Sequence, residues 1–183
     1  MMLENDFTEY VLYLLMFQVG LSIGSDKKLK HIIKTLRPKM LVIPLGTIIG
    51  TLLAVALVSV VIPKWSIWDC LSVGSGFAYY SLSSILITDL KTPEIGMQLA
   101  TELGTIALIS NILRELITLL FAPMMVRRFG KLAPICAGGA TTADTTLPII
   151  TKYSGKDMVF ISICHGILVD FSVPFLVPLF CSI

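Results

Sequence analysis

Ser72-Val73-Gly74-Ser75-Gly76-Phe77-Ala78-Tyr79-Tyr80-Ser81-Leu82-Ser83-Ser84 is apolar enough to enter a membrane, yet too crowded with glycines and hydroxyls to read as a plain helix. Irregular backbone at membrane depth is tolerated only where protein buries it or water lines it. The surrounding segment, about 70–90, is therefore either discontinuous or re-entrant, or an ordinary span whose small residues serve helix packing. Charge elsewhere separates these readings. The stretch Asp26 to Lys39 holds six basic residues against one acid, and the apolar run that follows the broken segment ends in Arg127-Arg128-Phe129-Gly130-Lys131. Basic clusters stay on the cytoplasmic side. Both clusters reach that side if 70–90 returns to the face it entered, whereas a complete crossing would deliver Arg127 and Arg128 outside. The charge pattern favours re-entrance, and it sets the N-terminus outside.

The rest of the composition names the solvent. With 55% hydrophobic residues, 14% charged residues and a mean hydropathy of +0.87, the chain reads as an integral membrane protein, since soluble domains carry about 25% charge. The start Met1-Met2-Leu3-Glu4-Asn5-Asp6 is acidic where a secretory signal would be basic, so the first span is expected to stay. A net charge of +2 gives no sign of a nucleic-acid partner, because topology explains the clustered Lys and Arg. A basic amphipathic stretch can also meet membrane lipid, but orientation accounts for its charge. Cys70, Cys136, Cys164 and Cys181 are scattered without CxxC spacing, and Cys164 beside His165 points about 100° away on a helix. No metal site and no cofactor are expected.

Full spans are expected at about 7–24, 40–62, 96–126 and 158–180, with broken segments at about 70–90 and 132–151. The expected fold is thus a single all-α membrane domain with about four transmembrane helices and both termini outside. If 132–150 crosses completely, the C-terminus moves inside. Midway along 96–126 stand Arg114 and Glu115, where one ionised side chain costs at least about 2.5–3.5 kcal/mol. Such charge reads as a solute, ion or proton pathway, or as an internal salt bridge. Gly104, Leu108, Asn111, Glu115, Thr118 and Ala122 recur at helical spacing, so Asn111 and Glu115 lie on a face turned to protein or water. The second broken segment, Cys136 to Thr151, carries Gly138, Gly139, a hydroxyl run and one acid, Asp144. The last span holds His165 and Asp170, with Pro174 and Pro178 expected to kink it. His165 reads equally as a hydrogen bond between helices or as part of a proton path.

Gly74–Thr88 and Ala137–Thr151 align without gaps, each running from small residues through hydroxyls to Ile-Thr. A span followed by a re-entrant segment reverses direction, so two such units would form an inverted repeat.

These residues carry a resemblance. Ser75-Gly76-Phe77 with Tyr80-Ser81-Leu82-Ser83, Arg114-Glu115-Leu116-Ile117, Gly139-Ala140-Thr141 with Asp144 and Thr146-Leu147-Pro148, and His165-Gly166 with Val173-Pro174 occur in order. The chain resembles the C-terminal portion of the lysine exporter family of the LysO type. The resemblance implies export of L-lysine or a related cationic amino acid across the bacterial inner membrane. Family members commonly carry extra N-terminal spans, which implies a small N-terminal-half membrane partner or a homo-oligomer. Ala78, Tyr79 and Ser84 stand where glycine or tryptophan is expected, and Ala143 where methionine is expected.

The chemistry agrees with a cationic amino acid. Glu115 and Asp144 are the leading partners for its ammonium groups. Arg114 either meets its carboxylate or, lying about 100° from Glu115, braces a broken segment. Tyr80, Ser81, Ser83, Thr141 and Thr145, with His165 and Asp170, are secondary lining candidates, and the freed backbone near Gly76, Gly138 and Gly139 completes the set. No Walker A loop appears, so coupling to protons or another cation is expected rather than ATP use. The rivals are a non-transporting subunit supporting a partner transporter and an intramembrane hydrolase built on His165, a serine and Asp170. The hydrolase lacks a GxSxG elbow and an HExxH motif.

Overall fold

The computed structural model describes residues 38–183, together with Phe17 alone. The apolar segment 7–24 and nearly all of the basic run after it lie outside the described residues. Within them every regular element is helical. Three stretches are long and apolar enough to cross a bilayer, Met40–Ser59, Met97–Phe129 and Lys156–Cys181, with mean hydropathies of 2.5, 1.6 and 1.9 over 18 residues of each. The chain is an all-helical membrane protein.

The first long helix, α1 (Pro38–Ser59), leads to a hairpin made of α2 (Ile67–Gly74), an irregular turn and α3 (Tyr80–Ile95). Ser66 starts α2 with a capping box, its hydroxyl accepting from the Asp69 N–H while the Asp69 carboxylate accepts from the Ser66 N–H. The same carboxylate meets Lys91 of α3 at 3.1 Å, and Lys91, only 2% exposed, also reaches Glu94 at 2.8 Å. That cross-arm pair ties the outer ends of α2 and α3 together. The segment is a hairpin whose two arms are joined at their outer ends.

A single residue, Gly96, separates α3 from α4 (Met97–Phe129). The second hairpin follows: α5 (Ala133–Gly138), a 3₁₀ turn (Gly139–Ala143) and α6 (Leu147–Ser154). Its base is closed by the exposed pair Lys131–Asp157 at 3.1 Å. A 3₁₀ turn (Lys156–Met158) then opens α7 (Val159–Cys181).

At about 1.5 Å per residue, the 33 residues of α4 extend about 50 Å, and the order of contacts along it locates both hairpins. Glu102 pairs with Lys64, just before α2, and Gly104 lies against Ser84 and Thr88 of α3. Asn111 and Arg114, near the middle of α4, reach the tips of the first and second hairpins respectively. Arg127 and Arg128 close the helix beside the base of the second. The hairpins therefore lie along α4 from its opposite ends and meet tip to tip near its middle. α7 runs in the direction opposite to α4 and packs on the hairpins, touching the second through Ser162 and the first through Phe180, which stacks on Trp68 at 6.3 Å.

Each long helix, α1 and α4, is thus followed by a hairpin inserted from the face where that helix ends. The two units are inverted relative to one another. Phe77 and Ala140 occupy equivalent places in the gap-free alignment, and they meet: the Phe77 carbonyl accepts from the Ala140 N–H at 2.8 Å.

Candidate functional site

The two tips are held by side chains that take up the backbone groups a broken helix leaves unpaired. In the first hairpin Phe77 and Ala78 adopt φ of 42° and 75°, a region that strains residues bearing a Cβ. Asn111 stabilises that turn, its Oδ1 accepting from the Ala78 N–H at 2.7 Å while Nδ2 donates to the Ala107 carbonyl at 2.9 Å. Nδ2 also lies 3.4 Å from the Ser83 hydroxyl. In the second hairpin Gly139 has φ 62°, and a Cβ built there would lie 2.2 Å from the Phe77 carbonyl oxygen. Only glycine allows the tips to touch.

Arg114 is the brace of the second hairpin. Its Nε donates to the Ala137 carbonyl at 2.7 Å and Nη2 to the Cys136 carbonyl at 3.1 Å, which are last-turn acceptors of α5. Thr51 of α1 lies 3.4 Å from Nη2, and the guanidinium sits 5.8 Å from the centre of the Phe77 ring. A cation on the negative end of a helix is well placed electrostatically. These bonds fit the second of the two roles open to Arg114, a brace of the broken segment.

His165 is buried, with Nε2 2.9 Å from the Thr47 hydroxyl and Nδ1 3.1 Å from the Thr142 hydroxyl. It links α1, α7 and the second tip. Ser162 adds a bond from its hydroxyl to the Thr142 carbonyl at 2.8 Å. Gly166 lets the tip approach, since a Cβ there would lie 2.5 Å from the Ala143 nitrogen. Thr47, Thr142 and Ser162 were not singled out in the sequence; the hydroxyl run around Thr142 was their one signal.

Between the tips and α7 lies a cavity of about 270 Å³. Tyr79, Tyr80 and Ser81 line it from the first hairpin, Thr141, Asp144 and Thr145 from the second, and Asp170 from α7. Asp144 is exposed at this cavity, its Oδ1 accepting from its neighbour's N–H at 2.5 Å, while Asp170 is half-buried. Among the described residues Asp170 accepts no hydrogen bond from protein. The N–H groups of Tyr80 and Ser81, at the start of α3, find no protein acceptor there either, and no side chain caps that end. The cavity therefore offers negative charge from two carboxylates and a helix N-terminus suited to an anion.

The structure brings together Asp144, Asp170, Tyr80, Ser81, Thr141 and Thr145. It sets Asn111, Arg114, Ser83 and His165 behind the tips as supports. Glu115 is half-buried on α4 and lies outside the cavity's lining. The stripe on α4 is buried at Gly104, Asn111, Thr118 and Ala122.

A family model described as "Lysine exporter LysO" matches residues 1–181. The chain belongs to the lysine exporter LysO family. Lysine exporter LysO of Escherichia coli K12 is 33% identical over 94% of this chain and 54% of its own length. A lysine exporter candidate from Haemophilus influenzae is 31% identical over 94% of this chain and 83% of its own. The chain thus spans about half the length of the E. coli relative. No solved structure matches it. The LysO family is one of transporters.

Proposed function

We propose that this protein is a secondary-active exporter of L-lysine, or of a closely related cationic amino acid, across the bacterial inner membrane. The observation that supports it best is the cavity where two inverted hairpin tips meet, lined by Asp144 and Asp170 in a protein of the LysO family. In this reading Asp144 receives an ammonium of the substrate, with Thr141, Thr145 and Ser81 supplying neutral hydrogen bonds. Arg114 and Asn111 hold the tips in shape. Asp144, in competition with that ammonium, or Glu115, on the half-buried face of α4, carries the coupling proton. A carboxylate can hold a proton or face a cation but gains little from both, so proton uptake and lysine release are linked. Coupling is then antiport of protons or another cation.

The partner is a second copy or a small membrane protein supplying the length present in the E. coli relative, and the whole is a single multi-pass membrane domain. The test is efflux of labelled lysine from preloaded cells carrying this chain, with and without a neighbouring small membrane protein. Glu115→Gln and Asp144→Asn should each cut efflux at least about tenfold at unchanged membrane abundance. Background efflux in every strain, with the partner confirmed present, would end the lysine assignment. A chain that merely supports a partner would instead leave efflux unchanged in both variants.

A further inference from the structure

Asp170 comes from α7, outside both hairpins, and it ends in the cavity that Asp144 borders from a hairpin tip. The two carboxylates differ in circumstance. Asp144 is exposed and already engaged by the N–H and hydroxyl of Thr145, at 2.5 Å and 3.3 Å. Asp170 is half-buried, and among the described residues it has neither a hydrogen-bond donor nor a cationic partner. A carboxylate drawn partly out of water without a partner is unfavourable unless something else brings the opposite charge. Tyr80 and Ser81 also line the cavity, and their N–H groups stand unpaired at the start of the 16-residue α3. One wall therefore suits a carboxylate, and two other points suit cations. An α-amino acid with a second ammonium carries that set of charges. The volume, about 270 Å³, lies at the small end of ligand pockets and fits one amino acid rather than a peptide.

We infer that Asp170 is the specificity-determining residue for the side-chain ammonium of the substrate, with the substrate's α-carboxylate on the Tyr80 and Ser81 N–H groups and its α-ammonium at Asp144. The inference rests on the export reading above and deepens it. In this arrangement Asp144 and the start of α3 recognise what every amino acid has. Asp170 recognises what only a dibasic one has.

The test is competitive binding to the purified full-length chain in lipid nanodiscs, comparing L-lysine with Nε-acetyl-L-lysine, which keeps the α-groups and loses the side-chain charge. Wild type should prefer lysine at least about tenfold. Asp170→Asn should bring the two ligands to within about threefold by weakening lysine and sparing the acetylated analogue. Asp144→Asn should weaken both and keep their ratio. Asp170→Glu provides a second, independent arm, because its carboxylate reaches one methylene farther and should shift preference from lysine toward ornithine. Preference that survives Asp170→Asn, or is lost in Asp144→Asn alone, overturns the assignment while leaving the export reading standing. Lack of preference in the wild type overturns both.

Discussion

At the scale of single residues, the meeting of the tips depends on atoms that are missing. Gly139 combines a left-handed φ with a site where a Cβ would overlap the Phe77 carbonyl oxygen. Gly139→Ala should therefore destabilise the protein by about 2 kcal/mol or more, since left-handed backbone costs a Cβ-bearing residue about 1–2 kcal/mol and overpacking about 1–3. Thermal unfolding of the purified protein measures this, and an unchanged midpoint would show that the tips part without penalty. Ala78 gives the opposite expectation. It holds φ 75° with a Cβ, so Ala78→Gly should leave stability unchanged or raise it by up to about 1 kcal/mol. Ala78 was legible in the sequence as one of three departures from an expected glycine or tryptophan, and its backbone gives the presence of a Cβ there a physical cost. The positive φ at Phe77 was not legible, because nothing in a phenylalanine announces a turn that only a facing Asn111 and a second tip make tolerable.

At the scale of elements, each hairpin has a brace from α4 and a closure at its base. Arg114 places two donors on consecutive carbonyls of α5, Cys136 and Ala137, a fork that lysine cannot reproduce. Arg114→Lys should keep the charge, lose one or both bonds and loosen the second tip, at about 1.5–3 kcal/mol for charged hydrogen bonds. Cys136 reports on this directly: half-buried in the native protein, its thiol should be alkylated several-fold faster in the variant, read by mass spectrometry. Equal rates would mean that the α5 end holds without the arginine. The closures differ as well. The first hairpin is shut by Lys91, buried against Asp69, whereas the second relies on Lys131 and Asp157 in the open. Lys131 holds the Asp157 carboxyl below its usual range through their hydrogen bond. That small contribution is present above the ordinary aspartate range and is lost as pH falls through the lowered value. Both hairpins were legible as interruptions rich in glycine and hydroxyls, and the brace was one of two roles that helical geometry left to Arg114. The pairing of Lys91 with Asp69 and the place of Asp170 beside Asp144 in one cavity were not legible, because each joins elements separate in sequence. Glu115 drew attention as a charge in an apolar run, while the cavity itself formed from residues that no single helix face contains.

At the scale of the whole molecule, the inverted arrangement makes a claim about sides. α4 runs from the base of the first hairpin to the base of the second, so those bases are expected on opposite faces of the bilayer. The cluster Arg127, Arg128 and Lys131 stands at the second base, and basic clusters are retained in the cytoplasm, so the second hairpin is expected to open from inside and the first from outside. This polarity matters for export, because the cavity between the tips must reach each compartment in turn, and opposed hairpins give each face its own route. Single cysteines introduced at Lys64 and at Asp157 test the claim, in a background where Cys70, Cys136, Cys164 and Cys181 are replaced by serine or alanine. A membrane-impermeant maleimide applied to intact cells should label the Lys64 position and spare the Asp157 position, and inside-out vesicles should reverse the pattern. Labelling of both from one side would mean that one segment crosses completely, which would dismantle the inverted repeat and with it the tip-to-tip cavity as a shared passage. Labelling of opposite sides in the reverse sense would keep the architecture and turn the molecule over, leaving Asp144 and Asp170 in the same cavity.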